Sequence, residues 1–233
     1  MALMINVTAN YRQILGRIEE AAAKAVRDVS QIRLLAAAKS QSVEAIRTAI
    51  EAGVALIGEN YVQEAQAKKR QLGDLAEWHM IGHLQRNKAK AAVDVFEVIE
   101  SLDSVALARE LDKEARKRGK VVRVFVEVKL GGEESKSGVA QENVASFLRE
   151  AAQLSCLRIE GLMTVPPFRE NPEDVRPYFR ALYDLREKLN ELHLPNVELR
   201  ELSMGMTHDY TIAIEEGATI VRVGTALFGP RTR

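Results

Sequence analysis

The sequence predicts a single (β/α)8 barrel, also called a TIM barrel, with an extra helix before its first strand. From Arg33 onward, eight short apolar runs alternate with longer amphipathic stretches. Most loops between them are only a few residues long, which is typical of a closed parallel barrel. No linker, low-complexity tract or shift in composition divides the 233 residues, so we expect one domain over residues 1–233.

The first predicted element is a helix over residues 7–27, which precedes all the strands. The strands that follow are short and rich in branched apolar side chains, as buried parallel strands are. They cover residues 34–38, 55–58, 78–81, 96–99, 122–128, 159–163, 199–203 and 219–223.

Capping residues mark several of the helices between these strands. Ser42 can cap a helix that Gly53 ends, and Ser104 can cap a second helix that Gly119 ends. Pro172 suits the first turn of a long helix that runs to about residue 192. Helices are therefore expected after the first, fourth and sixth strands.

An open, doubly wound sheet is the alternative to a barrel. That fold is favoured by a glycine-rich fingerprint directly after the first strand. Neither G-x-G-x-x-G nor a Walker sequence occurs in the chain. The closed barrel is therefore the better prediction.

Composition and charge narrow the classes of function. Lys plus Arg (33) equal Asp plus Glu (33), so no excess positive charge favours a nucleic acid. No apolar run approaches the ~18 residues of a membrane helix, and the N-terminus lacks a secretory signal pattern. The one cysteine, Cys156, cannot form an internal disulfide. We expect a cytoplasmic protein without nucleic-acid or membrane partners.

Lys39 is the first candidate functional residue. Function in such barrels is built at the carboxyl ends of the strands, and the run LLAAA is followed directly by this lysine. Its amine would lie in the barrel mouth above a floor of small residues. It is either a solvated lysine that opens a loop or a desolvated amine that forms an imine, and position alone does not choose.

Two small turns are expected at the ends of the seventh and eighth strands, Ser203-Met204-Gly205 and Gly224-Thr225. Barrels of this class commonly hold a phosphate there. Glycine lets backbone N–H groups approach an anion, the hydroxyls donate, and a helix that begins at Thr225 adds its positive end. Ordinary turns are the alternative, but two of them opposite a lysine make a more specific group.

Arg222 is predicted to face the barrel interior. Alternation along the eighth strand puts Val221 and Val223 on one face and Arg222 on the other. A buried guanidinium needs a partner, because an unpaired buried charge is very costly. Glu201, with matching parity on the seventh strand, is the structural candidate, and a ligand atom is the functional one.

The remaining polar residues give weaker signals. Asn60 follows the second strand and could either bind a ligand or cap the next helix. His79, in the third strand, is expected to be structural, and His83 follows it. Because the sequence has four histidines and no H-E-x-x-H or Cys-His cluster, no metal site is expected. Lys136 is expected to be solvated on a charged loop after the fifth strand.

The sequence resembles the pyridoxal-phosphate homeostasis proteins of the YggS type, whose barrel is shared with the N-terminal domain of alanine racemases. The resemblance covers nearly the whole chain and preserves the order and approximate spacing of seven segments. They are LLAAAK ending at Lys39, GENYVQE, EWHMIGHLQRNK, EESKSG, GLMTVPP, LSMGMTHDY and AIEEGATIVRVGTALFG.

The resemblance implies that seven residues bind pyridoxal 5′-phosphate. They are the Schiff-base lysine Lys39, the phosphate ligands Ser203, Gly224 and Thr225, Arg222 at the pyridine nitrogen, and Asn60 and Met204 beside the cofactor. Two positions depart from the pattern. Ala38 stands where a serine often precedes the lysine, and Thr207 stands where a serine is usual. Neither change removes a group that the imine or the phosphate requires.

An arginine at the ring nitrogen disfavours protonation of that nitrogen, so the ring is a weaker electron sink. We therefore expect a carrier or regulator in vitamin B6 homeostasis rather than an enzyme, a monomer that serves apo forms of pyridoxal-phosphate enzymes. A pyridoxal-phosphate-dependent amino-acid racemase is one alternative. It needs a second base, which alanine racemases take from a C-terminal domain that the length leaves no room for. A Schiff-base aldolase or isomerase of a phosphorylated sugar is the other.

Overall fold

Eight parallel strands form a closed barrel in the computed structural model, which describes residues 6–131 and 137–230. A ninth, two-residue strand, β6, pairs in parallel with the end of β5 and is not one of the eight. The strands are β1 (Arg33–Ala37), β2 (Leu56–Glu59), β3 (Glu77–Met80), β4 (Val98–Leu102), β5 (Val122–Lys129), β6 (Val139–Ala140), β7 (Leu157–Met163), β8 (Val197–Met206) and β9 (Ile220–Val223).

Helices surround the barrel and connect its strands, and one precedes β1 as predicted. Within the described ranges they are α1 (Val7–Lys24), α2 (Val43–Glu51), α3 (Val62–Leu72), α4 (Ala89–Val95), α5 (Val105–Lys117), α6 (Val144–Ala151), α7 (Arg176–Asn190), α8 (Tyr210–Glu215) and α9 (Thr225–Phe228). The predicted (β/α)8 barrel with an extra N-terminal helix is therefore confirmed.

The predicted caps form as the sequence indicates. The Ser42 side chain accepts the backbone N–H of Ala45, and Ser104 does the same for Leu107, so each serine satisfies one free donor of a helix start. Gly119 follows the end of α5 with a φ of +62°, a conformation that costs glycine little. The helix predicted from Pro172 begins as a 3-10 turn and becomes α7 at Arg176.

The register closes the sheet around a small apolar core. Leu35 of β1 lies opposite Leu56 of β2 on one side and Arg222 of β9 on the other, and β4 pairs with β5 to complete the ring. A cluster of buried side chains fills the interior, separate from the larger core between strands and helices. It consists of Leu35, Leu56, Val98, Phe125, Met163 and Ile220.

Strands β4 and β8 differ most from their predicted limits. β4 is displaced toward the C-terminus, so Glu100 lies within a strand, and β8 continues three residues past Ser203. The register between β8 and β9 shifts between Ser203 and Met206, which marks a bulge. Ser203, predicted as the last residue of its strand, therefore lies three residues before the strand ends. Gly205, with a φ of +87°, provides the irregular backbone at this point.

Candidate functional site

Lys39 lies at the mouth of the barrel, in the turn two residues beyond β1. The amide of Ala38 donates to the carbonyl of Gly58 at 2.8 Å, which fixes the chain just before the lysine. Ser40 follows with a φ of +61°, and its amide donates to Glu64 Oε2 at 3.2 Å. The half-buried Lys39 is thus set by a constrained turn.

A buried ion pair lies directly under this turn. Lys68 Nζ donates to the carbonyl of Ala38 at 2.9 Å and to Glu59 Oε1 at 2.7 Å. Burial raises the pKa of Glu59, and the hydrogen bond from Lys68 acts against that rise. Lys68 therefore anchors the residue before Lys39, a role that the sequence pattern did not indicate.

The loops after β8 and β9 meet beside the end of β1. Thr207 Oγ1 accepts a long hydrogen bond of 3.4 Å from the amide of Ala226, which joins the two loops. A Cβ added at Gly224 would lie 3.3 Å from the carbonyl oxygen of Ala37, so a side chain there would narrow the space between the strand ends. The exposed Thr225 begins α9, where helix N–H groups have no partner within the helix.

Arg222 enters the barrel interior, as predicted, and is almost completely buried. Its NH1 group donates to Ser203 Oγ at 2.7 Å and its NH2 group donates to the carbonyl of Thr164 at 2.8 Å. Burial lowers the pKa of Arg222, whereas the nearby carboxylates, Glu100 foremost, raise it.

Glu201 does not pair with Arg222, and that prediction is wrong. Glu201 Oε1 lies 2.7 Å from Arg33 NH2, and Glu201 Oε2 accepts from Thr219 Oγ1 at 2.5 Å. The physical reason is the stagger of the strands: Ser203, not Glu201, lies opposite Ile220 of β9, so Glu201 lies nearer than Arg222 to the amino-terminal end of the barrel. Glu201 is therefore at the amino-terminal end of the barrel, away from the mouth.

A chain of buried polar groups continues from Ser203 across the barrel. Ser203 Oγ donates to Glu100 Oε2 at 2.5 Å, and Glu100 Oε1 lies 2.6 Å from His79 Nδ1. His79 Nε2 lies 2.7 Å from Glu77 Oε1, and Arg123 NH2 lies 3.2 Å from the same oxygen. Ser203, Glu100 and His79 are fully buried.

His79 lies between two carboxylates, and they raise its pKa. Burial disfavours the imidazolium, but hydrogen bonds to Glu100 and Glu77 outweigh burial and raise the pKa of His79. The hydrogen bond from His79 lowers the pKa of Glu77 to about 2. The structural role predicted for His79 agrees with these contacts, although the sequence alone did not indicate Glu100 or Glu77 as its partners.

The other predicted residues occupy different surroundings. Asn60 lines a cavity of about 340 Å³ at the mouth, together with Glu127, and it is not the residue that caps α3, which begins after Tyr61. Met204 is fully buried in the large core cluster between strands and helices. Lys136 lies outside the described residues.

Neither a metal-ligand cluster nor a membrane-spanning helix occurs in the part of the chain that the structure describes. No group of three or more His, Cys, Asp or Glu residues there could hold a metal ion. In the same ranges, no helix combines the length and the apolar character that crossing a bilayer requires.

The comparisons with known proteins first define the class of barrel. Residues 9–232 match the family model described as alanine racemase, N-terminal domain. An alanine racemase from Clostridium difficile 630 superposes with a TM-score of 0.76 at 15% identity, over 97% of this chain and 58% of that one. That likeness shows a shared fold.

Closer relatives define the family. A pyridoxal phosphate homeostasis protein of Aquifex aeolicus is 46% identical over 228 residues, which cover 97% of this chain and 99% of that protein. PipY of Synechococcus elongatus, solved with PLP bound, superposes with a TM-score of 0.81 at 37% identity, over 91% of this chain and all (100%) of that one. The chain belongs to the pyridoxal phosphate homeostasis protein family.

Proposed function

We propose that this protein binds pyridoxal 5′-phosphate as a Schiff base on Lys39 and acts as a carrier or regulator of the cofactor in vitamin B6 homeostasis. The observation that carries the proposal is the position of Arg222, whose guanidinium is held inside the barrel at the end where Lys39 stands. The PLP-bound structure of PipY, at 37% identity, supports the same ligand.

The residues at the mouth fit the three groups by which a protein can hold this cofactor: its aldehyde, its phosphate and its ring nitrogen. Lys39 offers the amine for the aldehyde. The space beside Gly224 suits a phosphate, because a Cβ there would narrow it and the hydroxyls of Thr225 and Thr207 lie next to it. Arg222 offers a hydrogen-bond donor to the ring nitrogen. When bound, the cofactor supplies a reactive aldehyde conjugated to an electron-accepting ring.

We assign the phosphate to Gly224, Thr225 and Thr207. The hydroxyl of Ser203, which the resemblance also implies as a phosphate ligand, already accepts from Arg222 and donates to Glu100 inside the barrel. A phosphate contact of Ser203 would have to compete with both bonds. Ser203 is therefore proposed to act on the cofactor through Arg222.

A carrier role fits Arg222 better than an enzyme role does. A guanidinium has no acceptor, so it donates to the ring nitrogen and disfavours protonation there, which weakens the ring as an electron sink. Racemisation also needs a second base. Tyr210 is buried on the side of α1, where burial raises the pKa of its hydroxyl and Arg17 contacts it. Tyr61 is exposed and lines a cavity next to the mouth.

We further propose that the protein is a cytoplasmic monomer, that residues 1–233 act as one domain, and that apo forms of pyridoxal-phosphate enzymes receive the cofactor. The balanced charge of the chain supports a protein partner or a small ligand over a nucleic acid. Asn60 and Met204 remain proposed cofactor neighbours.

The test is the absorbance of purified protein loaded with pyridoxal phosphate. Wild type is expected to show an imine band that borohydride removes, and Lys39→Ala is expected to lose the band while it keeps its circular dichroism spectrum. Lys113→Ala, which changes an exposed lysine on α5, is the matched control and should keep the band. A folded Lys39→Ala protein with the full band would refute the assignment. Borohydride trapping of Lys39 only with a sugar phosphate would favour an aldolase instead.

The same proteins test for enzyme activity. A chiral assay with alanine, serine and other common amino acids is expected to show no substantial turnover, because the ring beside Arg222 is a weak electron sink. Turnover at about 1 s⁻¹ or faster that disappears in Lys39→Ala would support the racemase alternative.

A further inference from the structure

The polar chain through the barrel joins elements on opposite sides of the interior. Arg222 comes from β9, Ser203 from β8, Glu100 from β4 and His79 from β3. The contacts between them are 2.7 Å, 2.5 Å and 2.6 Å long in that order. A continuous line of hydrogen bonds therefore leads from the arginine at the mouth to the opposite wall of the barrel.

The direction of each hydrogen bond follows from the chemistry of the groups. A guanidinium only donates, so Ser203 Oγ must accept from Arg222. The serine proton is then available only for Glu100, which accepts it as a carboxylate. The second oxygen of Glu100 lies 2.6 Å from His79 Nδ1, and His79 Nε2 lies 2.7 Å from Glu77 Oε1. A protonated imidazole donates at both nitrogens, and the raised pKa of His79 favours that form. With a protonated His79, every group in the line has a partner of the right kind.

The charges along this line alternate. Arg222 lies on one side of Glu100, and His79, whose pKa the neighbouring carboxylates raise, lies on the other; Glu77 and Arg123 follow. A buried cation without a nearby carboxylate is strongly destabilised. Glu100 is the first carboxylate that this line of bonds reaches from Arg222, and the bridging hydroxyl of Ser203 sets the angle from which Arg222 is held.

We propose that Glu100 and Ser203 are positioning residues, which hold the Arg222 guanidinium so that one of its N–H groups faces the ring nitrogen of the cofactor. This inference rests on the proposed function. Thr164 holds the second side of the guanidinium through its carbonyl, so the plane of the group has two fixed points. A planar group fixed at two points has its remaining N–H directions fixed as well.

The experiment compares two ligands that differ only at the ring nitrogen. Pyridoxal 5′-phosphate is titrated against its 1-deaza analogue, in which C–H replaces that nitrogen. The variants are Glu100→Gln, which removes the charge and keeps the shape, and Ser203→Ala, which removes the bridge. Glu201→Gln is the matched control, because it makes the same change on a carboxylate that contacts Arg33 at the other end of the barrel.

Glu100→Gln and Ser203→Ala should each weaken pyridoxal phosphate binding about tenfold or more and change binding of the deaza analogue less than about twofold. The ¹⁵N chemical shift of the bound ring should move in both variants and stay in place in Glu201→Gln. Should Glu100→Gln fail to fold, Ser203→Ala alone gives the same comparison.

Equal weakening of both ligands would overturn the proposal, because it would mean that the network serves the fold and not the ring nitrogen. An unchanged ¹⁵N shift would overturn it as well. A failure of the proposed function looks different: wild type and Glu201→Gln would then bind neither ligand, whichever residue holds Arg222.

Discussion

Replacing Glu77 with glutamine should destabilise the protein near neutral pH and should have a smaller effect in acid. Glu77 begins β3, and its carboxylate contacts both His79 and Arg123. The hydrogen bond from His79 lowers the pKa of Glu77 to about 2 from an ordinary value of 4.5. Glutamine keeps the shape of the side chain and removes its charge.

The magnitude follows from the difference between the folded and unfolded pKa values. Because the folded pKa is depressed, the stabilisation is present above pH 4.5 and is lost as the pH falls toward 2. A shift of about 2.5 units corresponds to about 3 kcal/mol, and solvent at the partly exposed carboxylate reduces this to about 2–3 kcal/mol. By the same linkage, about 1.4 kcal/mol is already lost at pH 3.5.

Urea unfolding at pH 7 and at pH 3.5 measures this difference directly. The free energy of unfolding of Glu77→Gln should fall below that of wild type at pH 7, and the gap should shrink at pH 3.5. Glu198→Gln is the control, because it removes an exposed carboxylate whose partner, Arg200, is also exposed, and it should change neither value. A gap that is equal at both pH values, or no larger than that of the control, would refute the reasoning.

Two further predictions concern the phosphate and a crowded glycine. Replacing Thr207 and Thr225 together with valine should weaken pyridoxal phosphate about tenfold or more and leave pyridoxal nearly unchanged, since a hydrogen bond to a charged group is worth about 1.5–3 kcal/mol; equal weakening in the two titrations would argue against the phosphate role. Gly217→Ala should lower the free energy of unfolding by more than about 1 kcal/mol, because the φ is +100° and the new Cβ would lie 2.4 Å from Tyr183 Cδ2. Gly16→Ala, with nothing within 4 Å of the new Cβ, is the control and should be neutral or stabilising; urea unfolding that ranks the two variants equally would contradict this account.

Local patterns were enough to predict the fold. Short apolar runs that alternate with longer amphipathic stretches mark the strands and the helices. Ser42 and Ser104 mark helix starts, because their side chains accept hydrogen bonds from backbone N–H groups of the first turn. The two-residue strand β6 escaped prediction, because a run that short carries no period.

The position of a candidate site residue could be predicted where it depends only on the strand that carries the residue. Lys39 and Arg222 follow from the end and the parity of their own strands. The partner of Arg222 depends on the stagger between strands, so parity alone led to Glu201 instead of Ser203 and Glu100. β8 continues three residues past Ser203, through a bulge that no local pattern reveals, so Ser203 lies within the strand and not at its end.

The seam between β1 and β9 determines when the barrel interior can form during folding. It places Arg33 opposite Ile220 and so unites the first and last strands of the ring. Pairing between such distant segments is slow, because a long loop must be closed before the contacts are gained. Arg222 is linked to Glu100 across the barrel through the hydroxyl of Ser203, so the two charges are withdrawn from water in the step that brings the walls together. Closure and charge pairing are therefore one cooperative event, and a partly closed barrel keeps these groups hydrated.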